Sequence, residues 1–365
     1  MFDLLKFWYT SNTFYTSNMV LDKLQQHTID IYGLANKTYE VKSVNARTLL
    51  ASTRFDLFAK IYYIANKDRN NASAKEIYAE HIKAFNPDLK EPGRIDKNGI
   101  NDFFRAFDNL IAQFSSTDFN PNISLIPVDS NGVILDGAHR VAALAFYNKN
   151  ATIVQFNDTT AKCAFNYEYF KQRGLGWQHL DTITREMVKW LPNIHVACVW
   201  PKVGTKKNIQ TIISLISQNN NIGYINQLRL NLPSLEKFVK EIYKQQDWTQ
   251  NPIAVKDKAI NCYKANKPSS FIWFEHNGDL EQLIALKEDI RQHFNLGKHS
   301  IHITDNNSET QYISELIFDK ENNIIIPNSA KQSLSTQIAE FIYQFKHVHW
   351  LNLKIKISSL INKQQ

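Results

Sequence analysis

The sequence predicts an α/β protein of the α+β kind, in which helices and a compact unit of short strands precede a second α/β domain. Helical periodicity fills residues 54–114, short apolar runs bounded by turn residues follow it, and helices then alternate with apolar runs. At 365 residues the chain is long enough for two domains. We predict an N-terminal helical segment at 1–50, a first domain at 51–190 and a second domain at 191–365.

The composition is that of a folded protein with anionic partners. Hydrophobic residues make up 43% of the chain, and the formal net charge is +7. That charge favours phosphates, nucleotides or nucleic acid as partners. The three cysteines, Cys163, Cys198 and Cys262, are far apart and show no CxxC spacing. They predict reduced, mostly buried thiols in a cytoplasmic protein.

No segment has the pattern of a membrane span or of a signal peptide. The longest apolar runs, such as 141–147, are too short to cross a bilayer. The opening "MFDLLKFWYT" is apolar, but Asp3 and Lys6 interrupt it and no small-residue cleavage site follows. This segment predicts a packed N-terminal helix, with a helix lying on a membrane surface as the alternative.

Apolar spacing predicts the helices of the first part. Residues 1–50 are predicted to be helical around a polar interlude, and "RFDLFAKIYYIAN" from Arg54 forms the next helix. "SAKEIYAEHIKAF" begins at Ser73, with Glu76 at capping-box spacing. A loop rich in Pro and Gly then leads to the helix "INDFFRAFDNLIAQF".

A compact unit of strands and one helix is predicted next. "LIPV" and "VILD" are expected to be two short strands around the turn "DSNG". Gly137 ends the second strand and a small apolar helix runs to about Tyr147. "ATIVQF" then predicts another strand.

The remainder is predicted to alternate between helix and strand. Residues 157–190 are expected to be mainly helical, with a loop at "RGLGW", before the strand "IHVACVW". Further strands are predicted at "SFIWF", "SIHIT" and "NIIIP". Asn306 followed by Glu309 marks a helix start. An amphipathic helix is predicted over 331–365, and the patch "NNNIGYIN" is interpreted as compositional.

The stretch "DGAHR" carries the strongest chemical signal. A helix N-terminus presents unpaired backbone amides and the positive end of the helix dipole. Gly137 and Ala138 would let a phosphate approach that backbone closely. Arg140 can direct two donors at phosphate oxygens, and His139 can add a hydrogen bond or charge. Asp136 can hold Mg²⁺, accept a hydroxyl proton, or cap the turn.

A purely structural interpretation of the same residues stays open. Asp-Gly is a common turn, the carboxylate of Asp136 can accept from backbone amides, and Arg140 can pair with Asp136 without any ligand.

The run from Leu110 to Asn148, "LIAQFSSTDFNPNISLIPVDSNGVILDGAHRVAALAFYN", resembles the core of the ParB/sulfiredoxin-like superfamily. In that family a helix and an Ile-Pro-Val strand precede a turn with a His-Arg or Arg-Arg pair that binds nucleotide phosphates. The resemblance implies a small mixed sheet with helices as the fold. Ala138 stands where sulfiredoxins carry their catalytic Cys, so sulfiredoxin chemistry is excluded.

The turn is similar to the "DGxHR" of the free-serine-kinase branch. That resemblance implies an enzyme that uses ATP or another nucleotide with Mg²⁺ to phosphorylate the hydroxyl of a small molecule. It assigns Asp136 as catalytic base, Gly137, Ala138, His139 and Arg140 as the phosphate site, and an upstream Glu as a helper. Glu91 is the best local candidate for that helper.

A second polar cluster lies at 296–310. Arg291 and Lys298, with His299 beside them, are secondary candidates for binding a phosphate or a sugar carboxylate. A metal site formed by His299, His302 and Asp305 is disfavoured, because residues three apart in a strand point to opposite faces. The segment is similar to uncharacterised proteins encoded with surface-polysaccharide genes. This resemblance implies that the acceptor is a sugar or glycan precursor.

Two alternatives to a kinase remain. Residues 209–239 can be interpreted as a helix-turn-helix, which would suit a nucleotide-gated DNA-binding protein of the ParB branch. However, the turn is long, and Arg229 is the single cation of the proposed recognition helix. The other alternative is a nucleotide-binding protein without catalysis.

Overall fold

The computed structural model describes residues 17–69, 72–91 and 97–319. The chain divides into two compact units. The first contains the described residues up to Leu50 and Asp56–Ala164, and the second contains Ala51–Phe55 and the described residues from Phe165 onward. The predicted α+β class is confirmed, since each unit combines helices with its own sheet. Residues 165–190 belong to the second unit.

The first unit packs helices around a small sheet. Its helices are α1 (Ser17–Leu21), α2 (Gln26–Tyr32), α3 (Phe55–Asn66, whose first residue belongs to the second unit), α4 (Ala72–Phe85), α5 (Ile100–Ser116) and α6 (Ala138–Phe146). Its strands are β1 (Tyr39–Asn45), β2 (Ile126–Val128) and β3 (Asn150–Phe156). The three main predicted helices and the strand at "ATIVQF" are confirmed.

The helices of the first unit form where their apolar residues recur at helical spacing. In α5, Phe103, Phe107, Ile111 and Phe114 are buried on one face while the opposite face stays polar. α3 differs, because Asp56 and Lys60 are buried together with its apolar residues. Helical periodicity therefore explains α5 fully, whereas α3 holds a charge pair in the core.

The prediction that residues 1–50 are helical throughout was wrong for Tyr39–Asn45. These residues form β1, which pairs antiparallel with β3 from Tyr39 opposite Phe156 to Asn45 opposite Asn150. The alternating, β-branched residues of "YEVKSVN" suit a half-exposed edge strand. Since β2 pairs parallel with β3, the sheet has the order β1-β3-β2 and is mixed, as predicted.

The turn at "DSNG" is present, but its second arm is not a strand. Asp129 Oδ1 accepts from the amides of Asn131 and Val133, which closes the turn. Beyond it, Ile134 makes an isolated bridge to Val128, and the chain then leaves the sheet. The departure places Asp136 and Gly137 in a loop that enters α6.

The second unit is larger and also has one sheet. Its helices are α7 (Tyr167–Gln172), α8 (Trp177–Trp190), α9 (Lys206–Ser217), α10 (Leu232–Ile242), α11 (Pro252–Cys262), α12 (Leu280–Phe294) and α13 (Asn307–Phe318). Its strands are β4 (Ile194–Val199), β5 (Asn221–Leu228), β6 (Ser269–Glu275) and β7 (Ile301–Ile303), in the order β5-β6-β4-β7.

The sheet of the second unit is built on two buried strands. Every residue of β4 and of β6 is buried, which matches their unbroken apolar runs. All its strand pairs are antiparallel. The predicted strands at "IHVACVW", "SFIWF" and "SIHIT" are confirmed. Asn306 caps α13 by accepting from the amide of Glu309, as the sequence predicts.

The helix-turn-helix interpretation of 209–239 was wrong. A strand, β5, occupies Asn221–Leu228 between α9 and α10 and pairs along β6. The stretch "NNNIGYIN", interpreted as compositional, supplies most of this strand. Arg229 therefore follows a strand and is not part of a recognition helix.

The chain contributes a short segment to the second unit before it forms most of the first unit. Ser52, which is fully buried, donates from its backbone amide (2.9 Å) and its hydroxyl (2.8 Å) to the Glu275 carboxylate at the end of β6. Arg54 forms a bridge with Phe165, and its guanidinium lies 5.2 Å from the centre of that ring. The short segment Ala51–Phe55 is thus a structural part of the second unit.

Some expectations fall outside the described residues: the N-terminal "MFDLLKFWYT", the strand "NIIIP" and the helix over 331–365. None of the helices that the structure describes is long and apolar enough to cross a bilayer. The cysteines are unbridged; Cys198 and Cys262 are buried and Cys163 is exposed.

Candidate functional site

The turn from Asp136 to Arg140 joins the first sheet to the N-terminus of α6. Gly137 is the residue before the helix and adopts the left-handed conformation, with φ 88° and ψ 23°. A Cβ atom there would lie 2.8 Å from Arg140 Nη2 and 2.9 Å from Ile126 Cδ1. Both the backbone conformation and the packing therefore require glycine, as the "DG" pair predicts.

The N-terminus of α6 is open. Among the described residues, no side chain caps it, and its first internal bond runs from the Val141 amide to the Gly137 carbonyl at 2.9 Å. α6 begins at Ala138, whose small side chain follows the glycine. An uncapped helix start that is opened by glycine has the form of an anion-binding site.

Arg140 is held in place by groups of the chain itself. Its Nη2 donates to Asp136 Oδ2 at 3.2 Å, and its Nη1 donates to the Leu125 carbonyl at 3.3 Å. The side chains of Arg140 and Asp136 are 16% and 28% exposed. This pair is the one that the purely structural interpretation of the turn expects. It uses Oδ2 of Asp136, whereas Oδ1 has no hydrogen-bond partner within the described ranges.

His139 is a neutral, partly buried imidazole. Its Nε2 lies 2.9 Å from the Tyr78 hydroxyl, and the Phe107 ring packs edge-on against it at 4.7 Å. Burial lowers the pKa of His139 well below its usual value, and the positive charges of Lys60 and Lys97 lower it further. His139 can therefore offer a hydrogen bond near the turn, but the predicted added charge is not supported.

A buried polar chain runs from α3 to α4 behind His139. Lys60 Nζ donates to Asp56 Oδ2 at 3.0 Å and contacts His81 Nε2 at 3.2 Å. His81 Nδ1 lies 2.6 Å from the Tyr78 carbonyl, which can only accept. Burial and Lys60 lower the pKa of His81, so it is neutral, its Nδ1 carries the proton, and its Nε2 accepts from Lys60. His81 thereby links the lysine to the residue that contacts His139.

The positive charge of Lys60 is deeply buried. The side chains of Lys60 and Asp56 are 3% and 0% exposed. Burial of a charge pair is costly, so such a pair is kept where its geometry and partners are good. Four residues of this polar chain were not predicted from the sequence: Asp56, Lys60, Tyr78 and His81. The available signal was a pair of opposite charges four residues apart on the apolar face of α3.

Glu91 is brought to the same region. It forms an ion pair with Lys97, whose side chain is 8% exposed and whose Nζ lies 5.0 Å from the centre of the Phe103 ring. The charge of Glu91 contributes to the raised pKa of Tyr78, although burial is the larger cause. Glu91 and Lys97 thus lie in the electrostatic surroundings of the Tyr78–His139 pair.

The secondary candidates lie in the second unit. Arg291, near the end of α12, pairs with Glu288 at 2.6 Å, and Lys298 and His299 lie in the short 3₁₀ helix Gly297–His299. Nδ1 of His299 faces Cys262 Sγ at 3.8 Å.

The disfavoured metal candidates have separate partners. His302 Nε2 contacts Glu309 Oε1 at 3.0 Å, Asp305 pairs with Lys287, and His299 faces Cys262. Across the described part of the chain, no three His, Cys, Asp or Glu side chains are grouped as a metal site would require.

The candidate site is defined by the chemical groups that the turn brings together. Five consecutive residues supply an uncapped helix N-terminus, a fixed guanidinium and a carboxylate with one available oxygen. The charges of Lys60 and Lys97 lower the pKa of His139 in the same turn. No family model, no curated protein and no solved structure matches the chain. The resemblance to the ParB/sulfiredoxin-like superfamily thus stays a prediction.

Proposed function

We propose that residues 136–140 bind nucleotide phosphates, and that the protein is an ATP-dependent phosphotransferase acting on the hydroxyl of a small molecule. A sugar or glycan precursor is the acceptor that the sequence favours. The observation that carries the proposal is the glycine-opened, uncapped N-terminus of α6 beside the carboxylate of Asp136.

Binding rests on the backbone and on the nearby cations. The first amides of α6 face the end of the helix, where the helix dipole favours negative charge. Arg140 is already fixed by Leu125 and Asp136, so little conformational entropy is lost when it also contacts a phosphate. Lys60 and Lys97 add positive potential around His139.

Transfer needs a group that accepts the acceptor's proton. Oδ1 of Asp136 has no partner among the described residues, which supports that role, while Oδ2 stays on Arg140. As the acceptor oxygen bonds to the terminal phosphorus, the bond from that phosphorus to the bridging oxygen breaks. The nucleoside diphosphate leaves and the acceptor proton moves to Asp136.

A magnesium ion suits the same carboxylate. Mg²⁺ is held by one or two carboxylates together with phosphate oxygens, and it would neutralise the charge on those oxygens. The available oxygen of Asp136 can serve either as a ligand of this ion or as the base, and the two roles are alternatives; Glu91 is a less suitable ligand because it pairs with Lys97.

A second candidate function is nucleotide binding without transfer. The ion pair between Asp136 and Arg140 favours it, because it gives the carboxylate a structural role that needs no transfer. The DNA-binding alternative loses its structural basis, since β5 occupies the proposed helix-turn-helix.

The substitution Asp136→Asn tests the proposal. It keeps the size of the side chain and removes the base, so we expect transfer to fall by about a hundredfold or more while nucleotide binding persists. A partly exposed pair contributes at most about 1 kcal/mol, so the variant should fold. Transfer from ATP with Mg²⁺ to a panel of sugars and amino acids would be followed by ³¹P NMR.

Asp118→Asn is the matched control, because Asp118 lies in the same unit, is 92% exposed and also pairs with a cation. It should leave transfer unchanged. Full transfer activity in Asp136→Asn would refute the assigned base. ATP binding by the unmodified protein, with no transfer to any acceptor, would instead support the second candidate.

A further inference from the structure

Positive side chains converge in the second unit, where the proposed transfer does not use them. α11 packs against two short 3₁₀ helices, Pro201–Val203 and Gly297–His299. These elements and the end of α12 contribute the cations Lys202, Lys258, Arg291 and Lys298. The charges of Arg291 and Lys298 lower the pKa of Lys258, and those of Lys258 and Lys202 lower the pKa of His299. We call these four cations, which lie on α11 and on elements that pack against it or lie next to them, the cation cluster.

Lys258 lies at the centre of this cation cluster. Its Nζ donates to the Lys298 carbonyl and lies 5.9 Å from the Trp200 ring centre and 5.6 Å from the Tyr243 ring centre. No carboxylate lies within ion-pair distance of it in the described part of the chain. Burial lowers the pKa of Lys258; the neighbouring Cys262 acts in the opposite direction, and the charges of Arg291 and Lys298 lower the pKa further.

The cluster also has hydrogen-bond donors without acceptors. Trp200 is fully buried, and its Nε1 has no partner among the residues described. The same holds for Nε of Arg291, although Nη1 of that side chain pairs with Glu288. Buried donors are normally satisfied, so a bound acceptor near these two would lower the cost of burying them.

The neighbouring titratable groups do not supply the negative charge. Burial raises the pKa of Cys262 to about 11, so its thiol stays protonated at neutral pH, even with Lys258 and Lys202 nearby. Burial and the same two lysines lower the pKa of His299, so it is neutral. Cys262 and His299 therefore do not compensate the positive charge of the neighbouring lysines.

We propose that the cation cluster of Lys202, Lys258, Arg291 and Lys298 binds the phosphate group of a phosphorylated small molecule, between α11 and the turn at Gly297–His299. Phosphate fits better than a carboxylate, because its charge and several acceptor oxygens suit multiple cations. This site is independent of the proposed transfer at Asp136.

Calorimetric titration of the full chain with phenyl phosphate tests the site, and inorganic phosphate and acetate serve as comparison ligands. Lys258→Met removes the ammonium and keeps most of the apolar stem. We expect it to weaken phenyl phosphate binding by about tenfold or more. Lys240→Met, an exposed lysine of α10, is the matched control and should bind as the unmodified protein does.

Two further variants locate the binding and cover a failure to fold. Lys298→Met, at an exposed position, should also weaken binding if Lys258→Met does not fold. Arg140→Gln disables the turn at α6 and should leave this site intact. Binding that survives both lysine changes, binding that Arg140→Gln alone removes, or acetate binding as tight as phosphate would each overturn the proposal. If Asp136→Asn loses transfer but still binds phenyl phosphate, the result concerns the proposed transfer and leaves this site supported.

Discussion

At the scale of single residues, the turn at Asp136–Arg140 was the most predictable part of the molecule. Its order, with an acid, a glycine and a cationic pair, follows from local chemistry: glycine permits the positive φ, and arginine four residues after aspartate can pair with it across one helical turn. The neutral state of His139 was not predictable, because it depends on burial and on lysines distant in sequence.

The substitution Gly137→Ala should damage the candidate site directly. Its φ of 88° is strained for alanine, and the added Cβ would meet Arg140 and Ile126. We expect a loss of about 1–3 kcal/mol in unfolding free energy, measured by chemical denaturation, together with weaker nucleotide binding.

Gly132→Ala provides the control for that experiment. Gly132 also has a positive φ, of 79°, yet a Cβ there would contact nothing within 4 Å. It should lose stability from backbone strain alone and keep nucleotide binding. Equal binding losses in both variants would show that the packing around Gly137 is irrelevant to the site.

At the scale of elements, periodic helices and buried strands were predicted well, and half-exposed edge strands were not. α5, β4 and β6 carry unmistakable apolar patterns. β1 and β5 are half exposed, and the strands with which they pair, β3 and β6, lie far along the chain. The contact of His81 with Lys60 likewise joins α4 to α3, and no local pattern specifies such a pairing.

The pairing of α3, α4 and α6 through neutral histidines predicts a pH dependence. His81 and His139 have lowered pKa values in the folded protein, whereas a histidine in the unfolded chain has a pKa of about 6.5. The unfolded chain therefore binds more protons below that pH, and stability should fall as pH decreases. The slope should reach up to about 1.4 kcal/mol per pH unit for each histidine.

Denaturant unfolding between pH 8 and pH 5 measures this dependence. His81→Gln keeps an acceptor for Lys60 but does not titrate, so it should flatten the slope. His293→Gln, at an exposed position in the second unit, should not. An unchanged slope in His81→Gln would contradict the neutral, buried state assigned to His81.

At the scale of the whole molecule, the sequence predicts two domains, and the structure divides into two units. The chain does not pass from one unit to the other in a single step, as the predicted boundary assumes. Ala51–Phe55 joins the second unit although the residues on both sides belong to the first. Composition gives no sign of this, because the segment "ASTRF" is specified by partners more than a hundred positions away, at Phe165 and Glu275.

The substitution Ser52→Ala should destabilise the second unit. Its hydroxyl donates to the Glu275 carboxylate in a fully buried position, and removal leaves part of a buried charge unsatisfied. We expect a cost of about 1–3 kcal/mol in unfolding free energy. Tryptophan fluorescence would follow it without further substitutions, because every tryptophan of the described residues, Trp273 in β6 among them, lies in the second unit.

Ser43→Ala, an exposed serine of β1, is the control and should change little. The same unfolding midpoint in both variants would mean that the bond to Glu275 contributes nothing to the second unit.

The position of Ala51–Phe55 has a consequence for biosynthesis. A ribosome makes these residues early, yet their partner Phe165 and the strand that ends at Glu275 emerge much later. At typical elongation rates of about 5–20 residues per second, the segment waits for several seconds or longer without them. During translation Ser52 and Arg54 therefore lack their partners. The second unit completes its fold only when these partners pair with a segment that was synthesised before most of the first unit.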